Sequence, residues 1–192
     1  DIANMSLIHY PNNTTLESAV LFAYDAGVIL IGCNGNDGTP VPNYPASYDQ
    51  VLATGWTDSS DTRALSSNFT PGLDVVAPGV SVPTAIFNSG VDGKTNFSGC
   101  SAATPNATGV TALLYALNPT LRFEELRDTL EKTAQDRVGL PGEDVPGRDD
   151  YYGYGRINAL AALQSFGYVS RKRLHAERLE LRKTSPTQLE VR

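Results

Sequence analysis

The sequence predicts an α/β fold of three layers, in which a parallel sheet is flanked by helices on both faces. The run "VILIGC" at residues 28–33 is apolar at nearly every position, which is typical of a parallel strand buried on both sides. A strand, a helix and this second strand fit within residues 1–33, the usual size of a right-handed βαβ unit. With 192 residues, of which 41% are hydrophobic, the chain can bury one sizeable core.

The other elements follow from local patterns. Residues 2–7 predict a strand, and Thr14 or Thr15 is expected to cap a helix that ends at Gly27. Residues 80–98 predict only short extended pieces and turns. The remaining expected elements are strands at residues 50–56 and 73–79 and helices at residues 105–117, 122–135 and 157–164.

The charges and the apolar runs argue against two classes of partner. Residues 1–170 carry 8 basic and 18 acidic residues, so we expect no nucleic-acid partner, which would need a basic surface. No apolar run approaches the ~18 residues of a membrane-spanning helix, so we expect no membrane partner. Six Asn-x-Ser/Thr sequons favour an extracellular, secreted protein.

The composition changes near residue 168 and divides the chain into two parts. Residues 1–167 have the alternating pattern of a folded domain, whereas residues 168–192 are rich in basic residues. We expect the second part to be a flexible or helical tail with a solvated surface.

The stretch "GCSAATPNATG", residues 99–109, places Ser101 among small residues just before a predicted apolar helix. A hydroxyl there lies in the positive field of the helix N-terminus, and its small neighbours leave room for a reactant. A nucleophile needs this exposure and backbone N–H groups nearby. Taken alone, the stretch favours a simple helix cap, because serine is a common capping residue.

The stretch "GNDG", residues 35–38, directly follows a predicted buried strand. Ligands of open α/β sheets bind at the carboxyl ends of strands, and glycines let the backbone approach a ligand closely. The carboxamide of Asn36 can donate a hydrogen bond there to a developing negative charge. Taken alone, a turn without chemistry is the simpler interpretation.

Together, the two stretches resemble motifs of the subtilisin-like serine proteases. "GCSAATPNATG" is similar to their nucleophile motif, commonly Gly-Thr-Ser-Met-Ala-(Ser/Thr)-Pro-His-(Val/Ala)-Ala-Gly, and "CNGNDG" is similar to their oxyanion motif, usually Ala-Ala-Gly-Asn-(Glu/Asp)-Gly. "DIANMSL", "YPASYDQVLATG", "LDVVAPG" and "YYGYGRINALAAL" also look like family segments, in the family's order. The resemblance covers roughly residues 1–165. It implies that residues 1–167 are the C-terminal portion of a subtilisin-like peptidase domain whose N-terminal part is missing.

The resemblance also implies an activity, which is hydrolysis of peptide bonds in a polypeptide substrate. Ser101 would be the nucleophile, and Asn36 would hold the oxyanion together with the backbone N–H of Ser101. No cofactor is implied. The implied substrate-binding residues are Ser6, Leu7 and Ile8 in a groove strand and Cys33, Asn34 and Gly35 along a specificity pocket.

The family's catalytic Asp and His lie upstream of the groove strand, and neither is present in this chain. His9 falls in the wrong place in chain order, and His175 lies in the basic tail. Because a serine hydroxyl without a general base is a poor nucleophile, we expect this chain alone to be inactive. The expected partner is the upstream half of the same domain, which would supply the Asp and the His.

Three further departures lie near the implied site. Cys100 stands where the family usually has Thr, and Asn106 stands where it usually has His. Ile8-His9 replaces a glycine pair, and a β-branched side chain there is expected to narrow the groove.

Cys33 and Cys100 come close together if Asn36 and Ser101 face the same space. A bridge between them is possible, but two separate buried thiols are the preferred interpretation, since a free cysteine behaves as a small apolar residue. Asp74 sits where some relatives bind a weak structural cation. The chain has no calcium-loop spacing, so a surface aspartate is preferred at that position.

Two alternatives to a protease can be compared with the sequence. A catalytically inactive peptide-binding or inhibitory module would keep the groove and lack the chemistry, and upstream sequence with or without the Asp and His motifs would discriminate it from a protease. A nucleotide-binding domain is disfavoured, because no Gly-x-Gly-x-x-Gly turn follows a strand.

Overall fold

The computed structural model describes residues 1–88 and 91–167, so the predicted basic tail at residues 168–192 lies outside the described residues. In the described part of the chain, one helix lies between the first two strands, four more strands follow without a helix between them, and three helices come last. No helix in the described ranges combines the length and the apolar character needed to cross a membrane. The elements are β1 (Ile2–Met5), α1 (Thr14–Asp25), β2 (Ile29–Cys33), β3 (Val51–Thr57), β4 (Val75–Pro78), β5 (Val82–Asn88), β6 (Val91–Phe97), α2 (Cys100–Leu117), α3 (Phe123–Thr133) and α4 (Ala159–Ser165).

Four parallel strands form the sheet, in the order β1-β2-β3-β4. Ile31 of β2 is in register with Asn4 of β1 and with Leu52 of β3. Every residue of β2 and β3 is buried, as expected for strands covered on both faces. The predicted parallel α/β sheet is therefore confirmed.

Helices cover both faces of this sheet. On one face, Val20 of α1 packs in a cluster with Leu30 and Val51. On the other face, Ile31 belongs to a larger cluster that contains residues of α2, α3 and α4, including Leu114. Successive strand residues point to opposite faces, so Leu30 and Ile31 face different helical layers, and the predicted three-layer arrangement is confirmed.

The core helix α2 begins at Cys100, five residues before its predicted start at Pro105. Ser101 therefore lies in the first turn of the helix, and the N-cap is Gly99, which makes no side-chain capping bond. Pro105 lies inside the helix and has no N–H to donate to the carbonyl of Ser101. Ser6 Oγ donates to that carbonyl instead, at 3.3 Å. The interpretation of Ser101 as a simple cap is wrong.

Two other local predictions are also wrong. The cap of α1 is Asn13, whose Oδ1 accepts hydrogen bonds from the backbone N–H groups of Thr15 and Leu16. Residues 80–98 contain an antiparallel hairpin, in which β5 pairs with β6 from Val82↔Phe97 onward. Most described side chains of the hairpin are exposed, so its sequence shows no alternation of buried and exposed positions.

Candidate active site

The loop after β2 meets the N-terminus of α2 through Asn36. Asn36 Oδ1 accepts a hydrogen bond from the backbone N–H of Cys100 at 2.8 Å. Gly99 has φ 143°, a backbone conformation that favours glycine. In the Asn36 carboxamide, Nδ2 is the group that can donate a hydrogen bond to a ligand.

Ser101 is the second residue of α2 and is half-buried, like Asn36. The N–H groups of Ala102 and Ala103 donate to Gly99 O. The N–H of Ser101 has no acceptor among the described residues, and Asn36 Nδ2 has none either. Two neighbouring segments thus present one free donor each, in the positive field of an 18-residue helix. Such an arrangement can bind an anionic oxygen.

Cys33 and Cys100 form a disulfide, with their Cα atoms 5.4 Å apart. The preferred interpretation of two separate thiols is therefore wrong, because the end of β2 and the start of α2 converge. Both residues are fully buried, and Gly35 N–H donates to Cys100 Sγ at 3.3 Å. The bond ties the strand that precedes Asn36 to the residue that precedes Ser101.

A cluster of buried amides lies against the loop at residues 34–39. Asn34 is fully buried, its Nδ2 donates to Asn68 O at 2.9 Å, and its Oδ1 accepts from Thr70 Oγ1 at 3.0 Å. Asn43 Nδ2 donates to Asn34 O. Sequence analysis missed Asn43, Asn68 and Thr70 because each lies in a segment that looks like an ordinary loop.

The implied groove strand continues from β1 past Ser101. The bond from Ser6 Oγ to Ser101 O, at 3.3 Å, places these two residues side by side. Leu7 is 60% exposed and Ile8 37% exposed. His9 is exposed and pairs with Tyr44 through two backbone hydrogen bonds of 2.9 and 3.0 Å. The substrate-binding roles of these residues stay predictions.

Asp74 is only 2% exposed, so its interpretation as a surface aspartate is wrong. Its Oδ1 pairs with Arg127 Nη2 at 2.5 Å, and its Oδ2 accepts from Ala53 N–H at 2.6 Å. Burial raises the pKa of Asp74 to about 7, although Arg127 and the Ala53 N–H oppose this shift. A structural cation near Asp74 stays a prediction, and in the described chain the positive partner is Arg127.

Comparisons with known proteins agree with this architecture. The model of the Subtilase family matches residues 1–155. The chain is 37% identical over 161 residues to alkaline elastase YaB from Bacillus sp. (strain YaB), with 84% of the chain covered, and 37% identical over 163 residues to subtilisin BL from Lederbergia lenta, also with 84% covered. It spans 39% of the first relative and 55% of the second.

A solved structure supports the same fold. The prenylagaramide maturation protease PagA superposes with a TM-score of 0.72 at 26% identity, covering 88% of this chain and 62% of that one. The architecture is therefore subtilisin-like. Since the family model matches most of the chain, the chain belongs to the Subtilase family.

Proposed function

We propose that this chain is the serine-bearing portion of an endopeptidase, with Ser101 as nucleophile and Asn36 as oxyanion donor. The proposal rests on the contact between Asn36 Oδ1 and Cys100 N–H, which leaves Asn36 Nδ2 and Ser101 N–H as free neighbouring donors. When Ser101 Oγ attacks a peptide carbonyl carbon, negative charge develops on the carbonyl oxygen. These two donors would stabilise that charge, and losing one such donor typically costs about 2.7–4 kcal/mol of transition-state stabilisation.

The base that accepts the proton of Ser101 would come from an upstream half of the domain, together with the Asp that orients it. The partial coverage of the relatives supports this partner, since the chain spans 39% of alkaline elastase YaB. The position of β1 also supports it, because β1 is the last strand on its side of the described sheet. By itself, the chain would be inactive.

The substrate would be a polypeptide that binds along Ser6, Leu7 and Ile8 as an added strand. The exposure of Leu7 and Ile8 leaves that stretch accessible. Cys33, Asn34 and Gly35 would support one wall of the specificity pocket from beneath, since all three are buried.

An extracellular location fits the sequons. Those at Asn4, Asn12, Asn13, Asn96 and Asn106 are exposed, as a glycosylated asparagine must be. Asn68 is fully buried and would not accept one in the folded protein.

A serine-directed organophosphonate probe tests the nucleophile. We expect the probe to label Ser101 in a protein that carries both halves and to leave the isolated chain unlabelled, because only the longer protein has the base. The S101A variant should abolish labelling and the S98A variant should not, since Ser98 lies outside α2. In the longer protein, N36A should slow labelling by about 10²–10³-fold.

Two results would contradict the proposal. Labelling that survives in S101A would place the nucleophile elsewhere. A longer protein that folds, binds peptides and is never labelled would identify the catalytically inactive peptide-binding module.

A further inference from the structure

We infer that Asn68 is a positioning residue that holds Asn36 in the geometry for oxyanion binding. The inference rests on the proposed function, because it assigns Asn68 a task within the same site. Asn68 belongs to the segment between β3 and β4, 32 positions after Asn36, and it makes no bond to Asn36 itself among the described contacts.

The contacts of Asn68 lie on both sides of Asn36 in the chain. After Asn36, Asn68 Oδ1 accepts from the N–H groups of Asp37 at 2.9 Å and Thr39 at 3.4 Å. Before Asn36, Asn68 N–H donates to Gly35 O at 3.4 Å, and Asn68 O accepts from Asn34 Nδ2 at 2.9 Å. One residue therefore fixes the loop immediately before and after the proposed donor.

The remaining half of the Asn68 amide closes a small ring of hydrogen bonds. Asn68 Nδ2 donates to Tyr10 Oη at 2.8 Å, and the Tyr10 hydroxyl donates to Asp37 Oδ2 at 3.0 Å. Burial raises the pKa of Tyr10, so the hydroxyl stays protonated and can donate. Asn68 is fully buried, and its amide is satisfied at both ends, as an ordered polar cluster requires.

Close packing restricts the loop from the other side as well. A Cβ added at Gly35, which has φ 116°, would collide with Asn68 Nδ2. Without the Asn68 amide, the N–H groups of Asp37 and Thr39 lose their acceptor, and the loop gains space in which to move. A shift of about 1 Å in a catalytic group can cost ~10²-fold in rate.

The expected signature is a loss of kcat with little change in KM. Asn36 Nδ2 is proposed to act on charge that appears only in the transition state, so a displaced donor weakens the transition state and not the bound substrate. For N68A we expect kcat to fall by about 10–100-fold and KM to stay within about two-fold of the parent.

The test is a double-mutant cycle in the protein that carries both halves, measured with a peptide substrate. If Asn68 acts through Asn36, N68A should lower kcat in the parent but have almost no further effect in an N36A background. If N68A lowers kcat by the same factor in both backgrounds, Asn68 acts independently and the inference is overturned.

The cycle separates failure of the inference from failure of the proposed function. An N36A variant with unchanged kcat would contradict the oxyanion role of Asn36, which is the proposed function. An N36A variant with reduced kcat, beside an N68A variant with normal kcat, would contradict only the positioning role.

One further variant separates positioning from general stability. S67A removes an equally buried side chain next to Asn68. Ser67 Oγ accepts from Trp56 N–H at 3.1 Å and donates only to the backbone O of Asn68, at 3.5 Å. Since Ser67 makes no described hydrogen bond to the loop after Asn36, we expect normal kcat.

Amide hydrogen exchange gives a readout that does not depend on activity. The amides of Asp37 and Thr39 should exchange faster in N68A and at the parent rate in S67A. Unchanged exchange in a folded N68A would overturn the inference. If N68A does not fold, Y10F replaces it in the cycle, since Y10F removes only the ring of hydrogen bonds. Y10F should lower kcat a few-fold in the parent and not in the N36A background, and an equal loss in both would overturn the inference.

Discussion

We expect the buried carboxylate of Asp74 to make the stability of this domain depend on pH. Its folded-state pKa of about 7 lies above its usual 3.8 because of burial. Between those values the folded state keeps a proton that the unfolded state releases, so the free energy of unfolding falls as pH rises through this window. Arg127 limits the effect by stabilising the charged form.

Replacing Arg127 should therefore destabilise the protein most at alkaline pH. In R127M the Asp74 carboxylate loses its positive partner, so its pKa rises further. The free energy of unfolding then keeps falling as the pH rises above 7. We expect a loss of about 3 kcal/mol at pH 8 and a smaller loss at pH 5, measured by urea unfolding of the protein with both halves.

Lys132 provides the matched control on the same helix. It pairs with Asp128 at 2.7 Å, but both side chains are more than half exposed. K132M should change stability by less than about 1 kcal/mol at either pH. A loss in R127M that is equal at pH 5 and pH 8 would show that Asp74 does not titrate in this range.

At the same scale, Ser101 and Asn36 could be proposed from the sequence because both lie in short contiguous motifs, and their catalytic roles stay predictions. Asn68, Asn43 and Thr70 could not be found that way. Asn68 and Thr70 bond to a loop 31 to 36 positions away, and Asn43 bonds to Asn34, 9 positions away. Nothing in the sequence around these residues signals those partners. The disulfide between Cys33 and Cys100 could not be predicted without knowing that the end of β2 meets the start of α2.

At the scale of elements, the position of α2 depends on a close approach at Gly79, which follows β4. A Cβ added at Gly79 would lie 2.6 Å from Trp56 Cβ, 2.9 Å from Gly99 O and 3.1 Å from Ala103 Cβ. Gly79 O also accepts from the N–H of Gly99, the N-cap of the helix, at 2.8 Å. The start of α2 is thus packed directly on this glycine.

G79A should therefore displace the N-terminus of α2. We expect a loss of about 1–3 kcal/mol, the usual cost of overpacking, and a reduced rate of probe labelling at Ser101. G72A is the matched control, because nothing lies within 4 Å of a Cβ at Gly72. Urea unfolding of both variants measures the difference, and equal stability of the two would contradict this account.

The sequence predicted the buried elements better than the exposed ones. Strands β2 and β3 were placed within one residue at each end, since both are mostly apolar segments bounded by loops. The start of α2 was misplaced because Pro105 suggested a first turn, whereas tertiary packing accommodates proline inside the helix. The hairpin of β5 and β6 lacked a buried face and gave no periodic signal.

At the scale of the whole molecule, apolar surface remains on the described part of the chain. Leu113 and Leu117 of α2 are 52% and 47% exposed, although the helix packs on the core sheet. The strand β1 lies at one edge of that sheet. An exposed apolar helix face and an open strand edge favour self-association.

We therefore expect the isolated chain to be aggregation-prone or molten. Light scattering after size-exclusion chromatography should detect oligomers, and the double variant L113K/L117K should reduce them, because charges oppose apolar association. Q164K, at an exposed position of α4, adds a similar charge elsewhere and should have less effect. A monomer that unfolds cooperatively on heating would refute this expectation.

The covalent link between Cys33 and Cys100 closes a loop with a sequence separation of 67, so it also governs how the protein can be produced. Bacterial cytosol keeps thiols reduced, whereas the periplasm and the endoplasmic reticulum permit oxidation. Protein made in the cytosol would lack this disulfide. In the chain-entropy account, its free energy of unfolding would then be lower by about 4 kcal/mol, because the disulfide restricts the unfolded chain. Export, or refolding under an oxidising buffer, is thus the route to a native preparation.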